Sequence, residues 1–372
     1  MMSNKDEQQQ AFELDENMKV SRYDEDGLVW YSPFYEPFQI AGFGWMKEDQ
    51  SFRRLPVNSP YAIPPAVDQL ANCTSGGQIR FRTNSPKVAV KVRLPEAPQM
   101  YHMPPTGEGG VDAYIGSPSI MAFAGTARFL AGQKEYVSEL FSDPEAPTLK
   151  EQRQFTLNLP LYKGVEEIWI GLEPQSSLIE PAEYDSDKKV IFYGTSITQG
   201  GCASRPGMSY TNMLSRRMNL EFINLGFSGN GKGEPELAQL AAQITDPACL
   251  VLDYEANCTT EGYFATLPAF IDIYREHHPE VPIVVVSRIV YGKEFYTPEL
   301  REGRLKRLEF QSRLVAEHRD AGDVNIHFVD GRHLIKVDPG EATVDGVHPT
   351  DLGFKQMADG LEPVLRSILE TK

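Results

Sequence analysis

The strongest constraint in the chain is a change of hydrophobic rhythm at the polar link Asp185-Ser186-Asp187-Lys188-Lys189. Before the link, short runs alternate apolar and polar residues, as in Gln78 to Arg82 and Lys87 to Leu94. Further short runs surround Met121, Tyr136, Phe155 and Trp169, and Gly76-Gly77, Pro104-Pro105, Gly107 to Gly110 and Asp143-Pro144 separate the segments as turns. A period of two with frequent turns predicts an antiparallel β-sandwich of jelly-roll type. After the link the runs are of two kinds. Buried-strand patterns at Val190, Glu221, Cys249, Pro282 and Val324 alternate with helical stretches at Tyr210–Met218, Glu234–Ile244, Tyr263–His277, Pro298–Arg319 and Leu352–Leu369. Such alternation predicts an α/β fold with a doubly wound, five-stranded parallel sheet. A length of 372 residues suits two domains. The expected division is a polar lead-in over 1–20, a β-sandwich over 21–184 and an α/β catalytic domain over 185–372.

Charge and cysteine usage narrow the partners. A formal net charge of -16 repels phosphate backbones and anionic headgroups, so neither nucleic acid nor membrane is expected as the main partner. A small-molecule or oligosaccharide substrate is compatible with that surface, and so is self-association into a homo-oligomer. No apolar run reaches the length of a membrane span. The first ten residues lack the apolar core of a secretory signal. Cys73, Cys202, Cys249 and Cys258 have no metal- or redox-type spacing and read as free thiols. The expected location is therefore cytoplasmic. The aromatic stretch from Leu28 to Trp45 reads chiefly as packing, with stacking on a sugar ring as the alternative.

In an open parallel sheet, ligands bind beyond the carboxyl ends of the strands. The first strand there runs into Gly194-Thr195-Ser196-Ile197, which can present the Ser196 hydroxyl to the cleft. The alternative reading of Ser196 is a helix N-cap. The second strand is followed by Asn224-Leu225-Gly226-Phe227-Ser228-Gly229, a glycine turn that could aim a backbone N–H at a substrate oxygen, or be only a turn. After the third come Glu255-Ala256-Asn257-Cys258, where Asn257 is either a side-chain donor or a turn residue. Just before the last helix stands Asp345-Gly346-Val347-His348. A curled loop there lets the carboxylate hold one imidazole nitrogen while the other faces Ser196, the base-plus-orienter arrangement that a serine nucleophile needs. His102, His277, His278, His318, His327 and His333 lack such a setting, and no ligand spacing predicts a metal site.

The order Ser, Gly, Asn, Asp-x-x-His resembles the SGNH (GDSL-like) hydrolase family over about residues 188–372. That likeness implies a flavodoxin-like catalytic domain with Ser196, Asp345 and His348 as triad. The oxyanion hole would be formed by the Ser196 and Gly229 N–H groups and the Asn257 amide, with Gly226 the weaker choice of glycine. The chain departs from the family pattern at Thr195, Glu255 and Cys258, where Asp, Gly and Asp are usual. Gly109-Gly110-Val111-Asp112-Ala113-Tyr114 resembles the Gly-x-Asp-Leu-Tyr motif found before some bacterial SGNH domains, with Ala113 in place of Leu. The two-domain plan is similar to carbohydrate esterases. Together these resemblances imply a serine esterase for short acyl groups, acetyl above all, on a carbohydrate, with no cofactor or metal. Two alternatives stay open: a carbohydrate-binding protein with a decayed site, and a sugar O-acyltransferase using the same triad. Arg288 and Asp112 are candidate pocket-lining residues; a surface ion pair for Arg288 and a turn or packing role for Asp112 are the competing readings.

Overall fold

The computed structural model describes residues 21–118, 120–143 and 151–369. The lead-in expected over 1–20 and Pro144 of one expected turn lie outside them. Eleven described strands precede the polar link: β1 (Arg22–Glu25), β2 (Leu28–Tyr31), β3 (Gln39–Ala41), β4 (Gln78–Thr83), β5 (Lys87–Arg93), β6 (Asp112–Ser117), β7 (Ile120–Thr126), β8 (Glu135–Ser142), β9 (Arg153–Asn158), β10 (Glu167–Leu172) and β11 (Leu178–Ile179). They form two antiparallel sheets, β1-β2-β10-β5-β8 and β11-β4-β9-β6-β7, with β3 also paired to β4. β8 alternates buried and exposed positions along most of its length, as a strand with one solvated face must. The inward residues, among them Phe81, Val90, Phe155 and Ile170, share one core.

Strands β1 to β3 fall in and beside the aromatic stretch, where the period-two pattern is too weak to mark strands. Trp30 and Phe43 are buried there, whereas Phe34 and Tyr35 stay partly exposed. Packing accounts for most of the stretch.

Beyond the link, β12 (Lys189–Gly194), β13 (Phe222–Gly226), β14 (Pro247–Asp253), β15 (Ile283–Val286) and β16 (Ile326–Val329) form a parallel sheet in the order β13-β12-β14-β15-β16. Its helices are α1 (Ser196–Gln199), α2 (Tyr210–Met218), α3 (Pro235–Gln243), α4 (Thr260–His277), α5 (Pro298–Asp320) and α6 (Asp351–Leu369). β13 and β15 are buried at every position, because helices cover both faces of the sheet. Val190 and Phe192 pack on the side of α2 and α6, and Ile191 and Tyr193 on the side of α3 and α4. The strand order reverses between β12 and β14, which places a crevice at the carboxyl ends of those two strands.

The two halves do not keep separate cores. Leu55, Val67 and Ala71 enter the core of α3 and α4, and Met103 and Leu161 enter the opposite one. Among the described residues, no helix is long and apolar enough to cross a membrane.

Candidate active site

The site begins where β12 stops. Thr195, in extended backbone, accepts the Ile197 N–H on its side chain at 3.3 Å, while its own N–H is bonded to Thr198 Oγ1 at 3.2 Å. This capping box makes Thr195 the cap of α1 and Ser196 its first helical residue. It excludes the N-cap reading of Ser196 and shows what Thr195 does where Asp is usual. Ser196 Oγ lies 2.9 Å from His348 Nε2. His348 Nδ1 lies 2.9 Å from Asp345 Oδ2, and Asp345 Oδ1 accepts the N–H groups of His348 (2.8 Å) and Val347 (3.0 Å). The curl that this needs comes from Gly346, whose φ of +82° an L side chain rarely adopts. Val344 N–H closes the loop on the His348 carbonyl at 2.8 Å.

The hydrogen bonds assign the protons. A carboxylate on Nδ1 makes that nitrogen the donor, so Nε2 is left bare to accept from the serine hydroxyl. Partial burial on its own would raise the Asp345 carboxyl, but the two N–H groups and the imidazole outweigh it and hold the group down at about 2. Asp345 is therefore ionised throughout the working pH range.

Two backbone N–H groups belong to the candidate oxyanion hole, those of Ser196 and Gly229. Gly229 sits at φ +64° with open space where a side chain would be. Neither its N–H nor that of Ser196 is bonded to another group among the described residues. Gly226 cannot serve as the oxyanion glycine. Its N–H donates to Asn224 Oδ1 at 2.9 Å, and a Cβ there would meet the Gln199 nitrogen at 2.4 Å. Asn257 lies beside the Gly229 loop, but its amide donates to the carbonyls of Phe227, at 3.2 Å, and Asn230. In the resting structure Asn257 thus braces the loop, and its two hydrogens are not free for an oxyanion.

Two candidate pocket-lining residues are elsewhere. Arg288 is 3% exposed; its Nη2 meets Glu294 at 2.8 Å, and its backbone N–H donates to Glu255 at 2.8 Å. Glu255 also takes Arg307 at 2.9 Å and Gln311 at 2.8 Å. Arg288 is neither a surface ion pair nor a pocket wall, because a buried guanidinium must be paired and this network supplies the carboxylates. The same network explains Glu255 where glycine is usual. Asp112 is fully buried and accepts Asn158 Nδ2 (2.8 Å), Arg205 Nη1 (2.7 Å) and Gly207 N–H (2.9 Å). Arg205 also reaches the Tyr114 hydroxyl at 2.7 Å, and Arg216 lies 3.7 Å from the Tyr114 ring centre. The Gly-x-Asp-x-Tyr segment therefore clamps the β-sandwich onto the stretch leading into α2 and does not line the site.

Several residues around the site carry no motif. Tyr162 donates its hydroxyl to the Ser196 carbonyl at 3.2 Å, and Ser75 donates to the Gln199 carbonyl at 2.7 Å. Gln199 joins Leu161 O (3.1 Å) to the Ser228 N–H (2.9 Å). Arg54, fully buried, donates to the carbonyls of Cys73 (2.8 Å), Leu70 (2.7 Å), Asn224 (3.2 Å) and Gly226 (2.5 Å). Burial lowers its guanidinium to about 10, which leaves it charged at neutral pH. His102 comes from the sandwich half to within 5.7 Å of His348, ring centre to ring centre, and stacks on the exposed Tyr101. An isolated histidine or arginine in a loop has no periodicity or spacing by which it could be picked out.

Comparison with known proteins finds matches for both halves of the chain. Residues 187–366 match the model of the GDSL-like lipase/acylhydrolase family, and residues 28–178 match that of the N-terminus of SGNH-hydrolase-type esterases. A Bacteroides ovatus ATCC 8483 protein named as a GDSL-like lipase is 29% identical, with a TM-score of 0.83 over 92% of this chain and 98% of its own. The salicylyl-acyltransferase SsfX3 of a tetracycline biosynthetic pathway is 20% identical, with a TM-score of 0.73 over 94% of this chain and 100% of its own. A family two carbohydrate esterase from Clostridium thermocellum, solved with cellohexaose, is 15% identical, with a TM-score of 0.53 over 80% of this chain and 93% of its own. No curated protein sequence matches.

Proposed function

Since the chain belongs, through residues 187–366, to the GDSL-like lipase/acylhydrolase family and is an ester hydrolase, we propose that it cleaves short acyl esters, acetyl above all, from a carbohydrate through an acyl-enzyme on Ser196. The observation that carries this reading is the unbroken chain Ser196 Oγ, His348 Nε2, His348 Nδ1, Asp345 Oδ2, with 2.9 Å at each hydrogen bond.

Ser196 Oγ attacks the ester carbonyl carbon as its proton passes to His348 Nε2. Asp345 keeps the imidazole in register and stabilises its cationic form. The carbonyl oxygen gains negative charge and is received by the N–H groups of Ser196 and Gly229, which have no other partner among the described residues to give up. Asn257 holds the loop that carries Gly229. Collapse of the tetrahedral intermediate breaks the bond to the leaving alcohol, which takes the proton from Nε2. Water, giving a proton to His348 Nε2, then attacks the acyl-enzyme; the bond between the acyl carbon and Ser196 Oγ breaks, Oγ takes that proton back and the acid leaves.

Two features support the substrate class. Ser196 is only 8% exposed, which suits a small acyl group. Around the triad stand exposed aromatic rings: Tyr101, stacked on His102, and Phe295 and Tyr296, whose segment is tied to the triad loop by Lys293 N–H on the Gly346 carbonyl at 3.4 Å. Flat aromatic faces of this kind suit a sugar ring. The four cysteines are free thiols, which fits a reducing compartment such as the cytoplasm. Transfer of the acyl group to a sugar hydroxyl needs the same triad and differs only in the acceptor.

The test is release of p-nitrophenol from acetyl, butyryl and octanoyl esters by wild type and Ser196→Ala, then release of acetate from acetylated oligosaccharides. Turnover that falls with chain length and vanishes in the variant is the expected outcome. Equal turnover by both proteins removes Ser196 from the mechanism, and an acylated sugar formed when an acceptor is added moves the reading to transfer.

A further inference from the structure

The triad histidine has two neighbours that the esterase mechanism does not use. His102, from the sandwich half, and Cys202, from the loop after α1, flank it. One ring nitrogen of each histidine and the Cys202 sulfur all lie within 4.8 Å of one another. His102 Nδ1 is buried and makes no hydrogen bond among the described residues. Buried polar side-chain atoms are nearly always partnered, so an orphan beside a second imidazole and a thiol asks for a ligand.

We propose that His102, Cys202 and His348 form a three-ligand site for a soft divalent cation, of which Zn²⁺ is the natural occupant, and that its binding switches ester hydrolysis off. Two imidazoles and one thiolate are a donor set that zinc favours, with a fourth tetrahedral position left to water or to the Ser196 hydroxyl. Bonds of about 2.0–2.3 Å put tetrahedral donors roughly 3.3–3.8 Å apart. The three groups therefore need to close by about 1 Å, a movement within reach of side-chain rotation. The group that orients one of the ligands is already in place. His348 donates Nδ1–H to Asp345 at 2.9 Å, the carboxylate–histidine–metal relay that fixes the tautomer and leaves Nε2 as the ligand. Nε2 is also the atom that must take the Ser196 proton, so a metal there and catalysis exclude each other.

The effect on turnover rests on the esterase reading, whereas binding does not. Full-length protein treated with a chelator and then titrated with Zn²⁺ should lose ester hydrolysis and regain it on renewed chelation. His102→Ala and Cys202→Ser should keep metal-free turnover and raise the inhibitory Zn²⁺ concentration at least about tenfold, since disturbing even an outer-shell partner of a metal commonly costs that much. In parallel, Co²⁺ should bind wild type with one-to-one stoichiometry and show a thiolate-to-cobalt charge-transfer band that Cys202→Ser lacks. Zn²⁺ inhibition unchanged in both variants, or no such band in wild type, overturns the site. Stoichiometric Co²⁺ binding through Cys202 in a protein that hydrolyses no ester would leave the metal site standing and remove the esterase reading instead.

Discussion

Asp253 offers a sharp test of the electrostatics behind the nucleophile. It ends β14, half-buried, with its carboxyl between the Tyr210 hydroxyl at 2.6 Å and Thr198 Oγ1 at 3.3 Å. Burial raises its pKa to about 7 against the pull of those two hydrogen bonds, and the charge of Glu255 adds to the rise. In the unfolded chain the group titrates near 3.9. A raised folded-state value means that the native protein holds a proton the unfolded chain has lost. The group's contribution to stability is complete below about pH 4 and declines as pH rises to about 7, at ~1.4 kcal/mol per pH unit. Above that both states are ionised and the loss levels off. Between pH 5 and pH 8 this one residue should cost the wild type about 2–3 kcal/mol. Asp253→Asn keeps the shape and removes the titration. The fixed cost of exchanging an oxygen for an amide nitrogen cancels when one protein is compared with itself across pH. Urea unfolding of both proteins at pH 5, 6, 7 and 8 should show the stability difference moving in favour of Asn by about 2–3 kcal/mol over that interval. Parallel pH profiles would mean that Asp253 is already charged in the fold, and the burial argument would fail.

Three further outcomes rest on the same geometry. Ser196→Ala should lower kcat for p-nitrophenyl acetate by at least about 10⁴ while leaving the urea midpoint within error, since it removes one hydroxyl with no packing role; a loss below tenfold would point to another nucleophile. Asp345→Asn should cost roughly 10²–10⁴ in kcat, because the amide can leave the imidazole in the wrong tautomer. With the wild-type carboxyl held at about 2, its protonation should leave no inflection in the wild-type pH–rate profile above pH 4; an inflection there that vanishes in Asp345→Asn would contradict the hydrogen-bond assignment. Asp112→Ala strips the partner from Arg205 and the acceptor from Gly207 N–H, so it should lower stability by roughly 3 kcal/mol. Its KM and kcat, measured on folded protein, should change little; a specific rise in KM would return Asp112 to the substrate.

Local pattern was enough for part of this protein. The period of two before the polar link and the strand–helix alternation after it reflect which face of each element must be buried, so both sheet types were legible. Helix α2 could be read to its end residues, Tyr210 and Met218, because its apolar spacing is regular and Ser209 caps it. The Ser196 and Gly229 segments were legible because each closely follows its own strand, and Asp345-x-x-His348 because it stands just before the last helix. Their distances apart were not, since those depend on the order of strands in the sheet. Arg288 looked like a cleft residue because it comes directly after β15. Only the packed fold shows that two buried carboxylates, Glu255 and Glu294, claim it. Asp112 and Tyr114 stood out as a motif, but their partner Arg205 lies across the domain boundary, and a contact between distant segments leaves no period in either. The same reason hid Arg54, Tyr162 and His102. Sequence periodicity records which side of an element meets the core; which distant side chain meets it there is settled only when the sheets have packed.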